Sequence, residues 1–168
     1  MSVTYTSRVG NLLGALAIAV VDDLRVTTSD AAVVQLADHP GITISDLGRR
    51  TALTHSAAVR MVEQLEARGL VARGRSEVDR RAVVLTLTSA GQEQAAKILA
   101  ARSHVLTTAL ESLNHDDRAQ LERLLEAVLD AVTRSADRAT LICRFCDLQA
   151  CPQRRCPVEL KYLLLSES

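Results

Sequence analysis

Apolar residues recur through residues 5–24 at Val9, Leu12, Leu13, Leu16, Val20 and Leu24, mostly three and four apart. That spacing predicts a helix with one apolar stripe. Thr28 and Ser29 follow as N-cap candidates with Asp30 in the first turn, so a second helix is expected, stopped at His39-Pro40-Gly41. Thr43 can cap a third, short helix that has Asp46 near its start and carries Ile44, Leu47 and Leu53. Thr54 can cap a fourth over about 55–68, whose apolar side is Ala58, Val59, Val62 and Leu65, with Gly69 as a left-handed C-terminal cap. The period then changes. Leu70–Arg73 and Arg81–Thr88 read as two strands, the second rich in β-branched residues, joined by the charged tip Gly74–Arg80. Ser89 with Gln92 suggests a capping box for a long helix to about Leu113. Asn114 caps another with Asp116 and Asp117 in its first turn, and Leu121, Leu125, Val128 and Val132 repeat along it at four-three-four spacing, close to a heptad seam. From Arg138 the periodicity lapses, and Val158–Leu165 reads as a short terminal helix.

The expected fold is mainly α with a small antiparallel β-wing. A winged helix–turn–helix over about 29–91 is flanked by helices at about 5–24 and 89–137. Together these make one domain, 1–137, followed by a cysteine-rich tail, 138–168.

The formal net charge is zero, but the charge is sorted along the chain. Residues 44–91 hold eight Lys/Arg against five Asp/Glu, residues 92–137 hold five against eight, and the last 31 hold five against three. Local basic surface steers a protein to phosphate. Aromatics are only 2%, namely Tyr5, Phe145 and Tyr162, which argues against a single-strand binder built on base stacking. No signal-peptide pattern precedes the first helix, and the longest apolar run, Leu12–Val21, is too short to span a bilayer. A cytoplasmic protein with no membrane partner is expected.

A helix, helix, helix and two-stranded wing in this order suit double-stranded DNA, with one helix entering the major groove by its N-terminal residues. Thr54, His55, Ser56, Ala57, Arg60 and Met61 lie on the side of the fourth helix opposite its apolar stripe. Small and hydrogen-bonding residues suit groove entry, and Arg60 can reach guanine or phosphate. The hairpin carries Arg73, Arg75, Arg80 and Arg81, which a narrow minor groove attracts. Asp79 can pair with Arg81 and hold the tip in shape.

Several of these features coincide in order: Leu65…Gly69-Leu70-Val71-x-Arg73, the wing Asp79-Arg80-Arg81, and Leu87-Thr88-x-x-Gly91. In them the chain resembles the MarR family of transcriptional regulators over roughly residues 5–137. The resemblance implies a homodimer built from the N- and C-terminal helices, a pseudo-palindromic operator, and usually repression. It makes Arg81 the wing arginine and residues 54–61 the start of the recognition helix. It also implies a small-molecule effector site between the dimer helices and the winged domain.

The tail departs from the common family pattern. Cys143, Cys146, Cys151 and Cys156 are the chain's four cysteines, spaced C-x2-C-x4-C-x4-C, with Pro152 and Pro157 directly after two of them and Arg144, Arg154 and Arg155 nearby. Clustered thiols in a reducing compartment point to metal ligands or redox thiols rather than a disulfide framework. An iron–sulfur cluster suits all-cysteine ligation from one short loop. Zinc is the alternative, although its four-thiolate sites usually pair two C-x2-C knuckles and only one is present. A reversible Cys143–Cys146 disulfide is the third reading. With a cluster, the chain is expected to sense redox state, nitric oxide or iron, through a tail that alters the spacing between the two recognition helices. With zinc, the tail is structural and a small molecule is the effector. No assembled catalytic site stands out, so the chain is not expected to be an enzyme; a thiol or electron-transfer protein is the alternative from another class. His39 and His115 read as surface residues and His55 as groove-facing.

Overall fold

In the computed structural model, residues 8–76, 79–151 and 153–166 are described. Helix α1 (Arg8–Leu24) leads into α2 (Thr28–Asp38), α3 (Ile44–Thr51) and α4 (His55–Ala67). Strands β1 (Val71–Arg75) and β2 (Val83–Leu87) form the wing, and α5 (Ser89–Leu110) and α6 (His115–Val132) follow. The tail folds as α7 (Ala136–Ile142), two short 3₁₀ turns and α8 (Pro157–Ser166). The predicted class, mostly helical with a two-stranded antiparallel wing, is the one observed.

Local chemistry sets these boundaries. Thr43 caps α3 through a capping box with Asp46, and Thr54 caps α4 by accepting from the Ala57 amide. Gly41 and Gly69 take left-handed backbone where α2 and α4 give way to the next segment. Asn114 caps α6 at 2.9 Å from the Asp117 amide. Three boundaries differ from the sequence expectation. The α2 cap is Thr27, closed into a box by Asp30, so Thr28 and Ser29 are already helical. The α5 cap is Thr88, accepting from the Gly91 amide, so Ser89 starts the helix and makes no box with Gln92. Residues 136–142 form a helix capped by Ser135, although the apolar period has lapsed there. At seven residues, α7 is too short for periodicity to reveal.

The core lies within the winged helix. Val33, Val34 and Leu36 of α2, Leu47 of α3, Met61, Val62 and Leu65 of α4, and Leu85 of β2 are buried together, with Ala95 and Ile98 of α5 closing the group. Gly48 lets α3 and α4 approach closely: an added Cβ there would stand 3.2 Å from the Leu53 carbonyl oxygen and 3.3 Å from the Ala58 Cβ. The wing pairs Val71 with Leu87 and Arg75 with Val83, and Leu85 also bridges to Ile42. By contrast, α1 and α6 bury no residue at all. Val9, Leu12, Leu13, Leu16, Ile18 and Val21 are exposed on α1, and Leu124, Leu125, Val128 and Val132 on α6. Among the described residues no helix is long and apolar enough to cross a membrane.

Candidate functional site

Two sites are built on this frame. The first is the outer face of α4 and the wing. Thr54, His55, Ser56 and Arg60 are exposed at the start of α4, and Ala57 is half-buried. Met61 does not join them: it is 6% exposed and belongs to the core. On the helix it follows the Ala58–Val62 side closely enough to be drawn inward. The His55 ring lies 3.3 Å from the Ser45 hydroxyl, joining the first residue of α4 to α3. Arg73, Arg75, Arg80 and Arg81 are all exposed along the wing. Arg73 pairs with Glu66 of α4 at 2.8 Å, which ties the wing's base to the helix. At the tip, the Asp79 carboxylate accepts the backbone amide of Arg81 at 2.9 Å, so Asp79 holds the turn through backbone. Glu77 and Val78 lie outside the described residues.

The second site is the tail. All four cysteines are free thiols, each half-buried. Cys143, Cys151 and Cys156 line one cavity of about 160 Å³, together with Gln35, His39 and Arg50 of the winged helix and Tyr162 of α8. The Cys143–Cys146 hydrogen bond acts in opposite senses on the two thiols. That bond holds Cys146 down to about 7 against the opposing effect of burial, with Arg102 of α5 also favouring its thiolate. The same bond pushes Cys143 up, helped by burial. Burial and the neighbouring Cys156 push Cys151 up to about 11. Asp38, at the end of α2, is raised to about 6, first by burial and then by Asp147, with Arg50 opposing. His39 is half-buried rather than on the surface, and burial followed by Arg50 lowers it. His115 is exposed, as expected.

The sequence had no means of placing the tail. It docks on α2 and α3, not only on the helices that follow the wing. Two residues that sequence reasoning passed over make this contact. Gln35, only 2% exposed, donates from Nε2 to the Arg144 carbonyl at 3.4 Å and accepts on Oε1 from Arg50 at 3.1 Å. The available signal was a glutamine inside the apolar run Ala31–Leu36, where a buried amide requires partners.

The sequence model of the MarR family matches residues 31–82, from within α2 through the wing tip. A MarR family protein from Bacillus stearothermophilus superposes with a TM-score of 0.67 at 24% identity, over 75% of this chain and 94% of that one. In this segment and in its fold the chain is similar to the MarR family. Among relatives, the HTH-type transcriptional repressor MdtR of Bacillus subtilis is 26% identical over 99 residues, 59% of this chain and 64% of its own length. The match thus spans just under two thirds of that repressor. The organic hydroperoxide resistance transcriptional regulator of the same organism is 27% identical over 113 residues, 67% of this chain and 76% of its own. Both relatives are regulators of transcription.

Proposed function

We propose that this chain is a MarR-family repressor that binds double-stranded DNA as a homodimer, and that its four cysteines hold an iron–sulfur cluster whose presence sets operator affinity. Two unpartnered apolar helix faces support the homodimer, because α1 and α6 leave rows of Leu and Val in solvent that only another surface can cover. The exposed N-terminal turn of α4 and the arginine wing support groove binding: Thr54, His55, Ser56, Ala57 and Arg60 meet the major groove, and Arg73, Arg75, Arg80 and Arg81 the backbone and minor groove.

The observation that carries the cluster is the shared cavity. Three thiols face about 160 Å³ of common space, and the fourth is hydrogen-bonded to one of them. A donor set of four soft thiols around a volume wider than one ion suits a polynuclear centre, each iron with its own thiolate. Cys143, Cys146, Cys151 and Cys156 would hold it, and Arg102 and Arg144 would offset its negative charge. Such a cluster, when bound, supplies a centre that oxidants, nitric oxide or iron limitation can remove.

A second reading, structural zinc with a small-molecule effector, rests on a cavity of about 460 Å³ between α3 and α7, lined by Ile42, Asp46, Arg49, Ala136, Thr140 and Tyr162. Anaerobic purification followed by an absorption spectrum and iron, sulfide and zinc analysis separates the two. A brown protein with stoichiometric iron and sulfide, both lost in Cys151→Ser, is the expected result. Colourless protein with one zinc per chain would overturn the cluster.

A further inference from the structure

The cysteine segment touches the DNA-binding unit through one buried side chain. Gln35 stands in the middle of α2, between Val34 and Leu36, which are fully buried. An amide in such surroundings is costly unless both its ends are bonded. Both are. The orientation follows from chemistry, because a guanidinium only donates and a carbonyl only accepts. Oε1 therefore takes the Arg50 proton at 3.1 Å, and Nε2 faces the Arg144 carbonyl at 3.4 Å. Arg144 lies between Cys143 and Cys146, in the turn that sets the geometry of those two thiols. Arg50 is in the last turn of α3.

From Arg50 onward the connection is rigid. The Leu53 amide donates to the Gly48 carbonyl at 2.9 Å, Ala52 takes left-handed backbone, and Gly48 meets Ala58 with no spare room. Ser45 and His55 join the other end of α3 to α4. A displacement of α3 is therefore carried to the start of α4, the segment that enters the groove. Close-packed elements of this kind shift as units rather than deform.

We infer that Gln35 is a positioning residue that couples the Cys143–Cys146 turn to α3 and α4 within one chain, so the helix–turn–helix reads the state of the cysteine site directly. The coupling does not pass through the dimer seam. The inference rests on the reading of the four cysteines as a cluster site that controls DNA binding. When the centre is held, the turn keeps the Arg144 carbonyl on Gln35, and Gln35 keeps Arg50 in place. When it is lost, the turn relaxes, the amide loses one partner, and Arg50 and α3 are released.

The test compares operator affinity of the full-length protein with its cluster and after cluster removal by chelator and ferricyanide. The probe is a DNA duplex selected from random sequence by the wild-type holoprotein. Iron and sulfide per chain and the melting temperature are measured for every sample. Wild-type protein should lose about tenfold or more in affinity on cluster removal, within the usual range for coupled sites. Gln35→Leu keeps the volume and removes both bonds; it should retain iron and sulfide but give the same affinity with and without the cluster. Arg50→Met breaks only the α3 side and serves where Gln35→Leu fails to fold; it should give the same collapse. A merely structural residue would change both affinities together and leave their ratio intact. Variants with full cluster content and the wild-type ratio would overturn the coupling through Gln35 while leaving the sensor reading standing. Wild-type protein that holds no cluster, or whose affinity ignores its removal, would overturn the sensor reading and the coupling with it.

Discussion

Replacing Gly91 with alanine puts a methyl group where α5 crosses the base of the wing. Gly91 is in the first turn of α5, and an added Cβ would fall far inside contact distance of the Leu70 carbonyl oxygen and 3.1 Å from both the Leu70 carbonyl carbon and the Leu87 Cβ. Ordinary contacts sit at about 3.5 Å, so backbone must yield by well over about 1 Å. The obstacle is not a side chain that can turn away. The same Leu70 carbonyl accepts the Thr88 amide at 3.0 Å, and the Thr88 hydroxyl donates to the Gly69 carbonyl at 2.6 Å. Moving α5 outward therefore strains its cap and the start of β1 together. Overpacking of this kind costs about 1–3 kcal/mol, occasionally more. Alanine's helix propensity returns about 1 kcal/mol. A backbone obstacle puts the cost at the upper end of that range, so the net expectation is a loss of about 2 kcal/mol, or roughly 4–8 °C in melting temperature for a chain of this size. Thermal unfolding at fixed protein concentration measures it. Gly74→Ala is the control, because nothing lies within 4 Å of an added Cβ there. It should stay within about 0.5 kcal/mol of the parent. A Gly91→Ala protein that melts with the parent would refute the close approach of α5 to the wing.

Three further predictions follow from separate parts of the molecule. Arg81→Ala should weaken operator binding and lower the slope of log affinity against log salt by about one if its guanidinium meets a phosphate, read by titration at several salt concentrations; an unchanged affinity and slope would remove it from the interface. Val128→Asp places a charge in the exposed apolar row of α6 and should shift the protein from dimer to monomer in sedimentation at micromolar concentration; a dimer of undiminished stability would put the seam elsewhere. Asp46 is held below its ordinary 3.8 chiefly by the Thr43 hydrogen bond, with burial opposing. Its contribution to stability is thus present above 3.8 and lost as pH falls below it, so Asp46→Asn should lower the neutral-pH melting temperature and flatten its acid limb.

The legible parts of this chain are those where local chemistry decides. Thr43 with Asp46, Thr54, Gly69 and Asn114 mark their boundaries because each satisfies backbone groups within a turn of itself. Thr27 and Thr88 were missed by one residue because Thr28, Ser29 and Ser89 offer the same hydroxyl, and only backbone angles distinguish neighbours. Met61 was misassigned because a helix face widens where the core is deep. The proposal of a thiolate site starts from the spacing of the four cysteines. Their docking on α2 and α3 depends on contacts 109 residues apart in the chain, such as Gln35 with Arg144, which no local pattern encodes.

The most direct test of the account is operator affinity measured anaerobically on protein of known iron and sulfide content, before and after the cluster is removed and again after it is rebuilt. The account predicts stoichiometric iron and sulfide in the purified chain, a reversible change in affinity of about tenfold or more, and no such change in Cys151→Ser. Sequence-specific binding that is identical in all three states would contradict it.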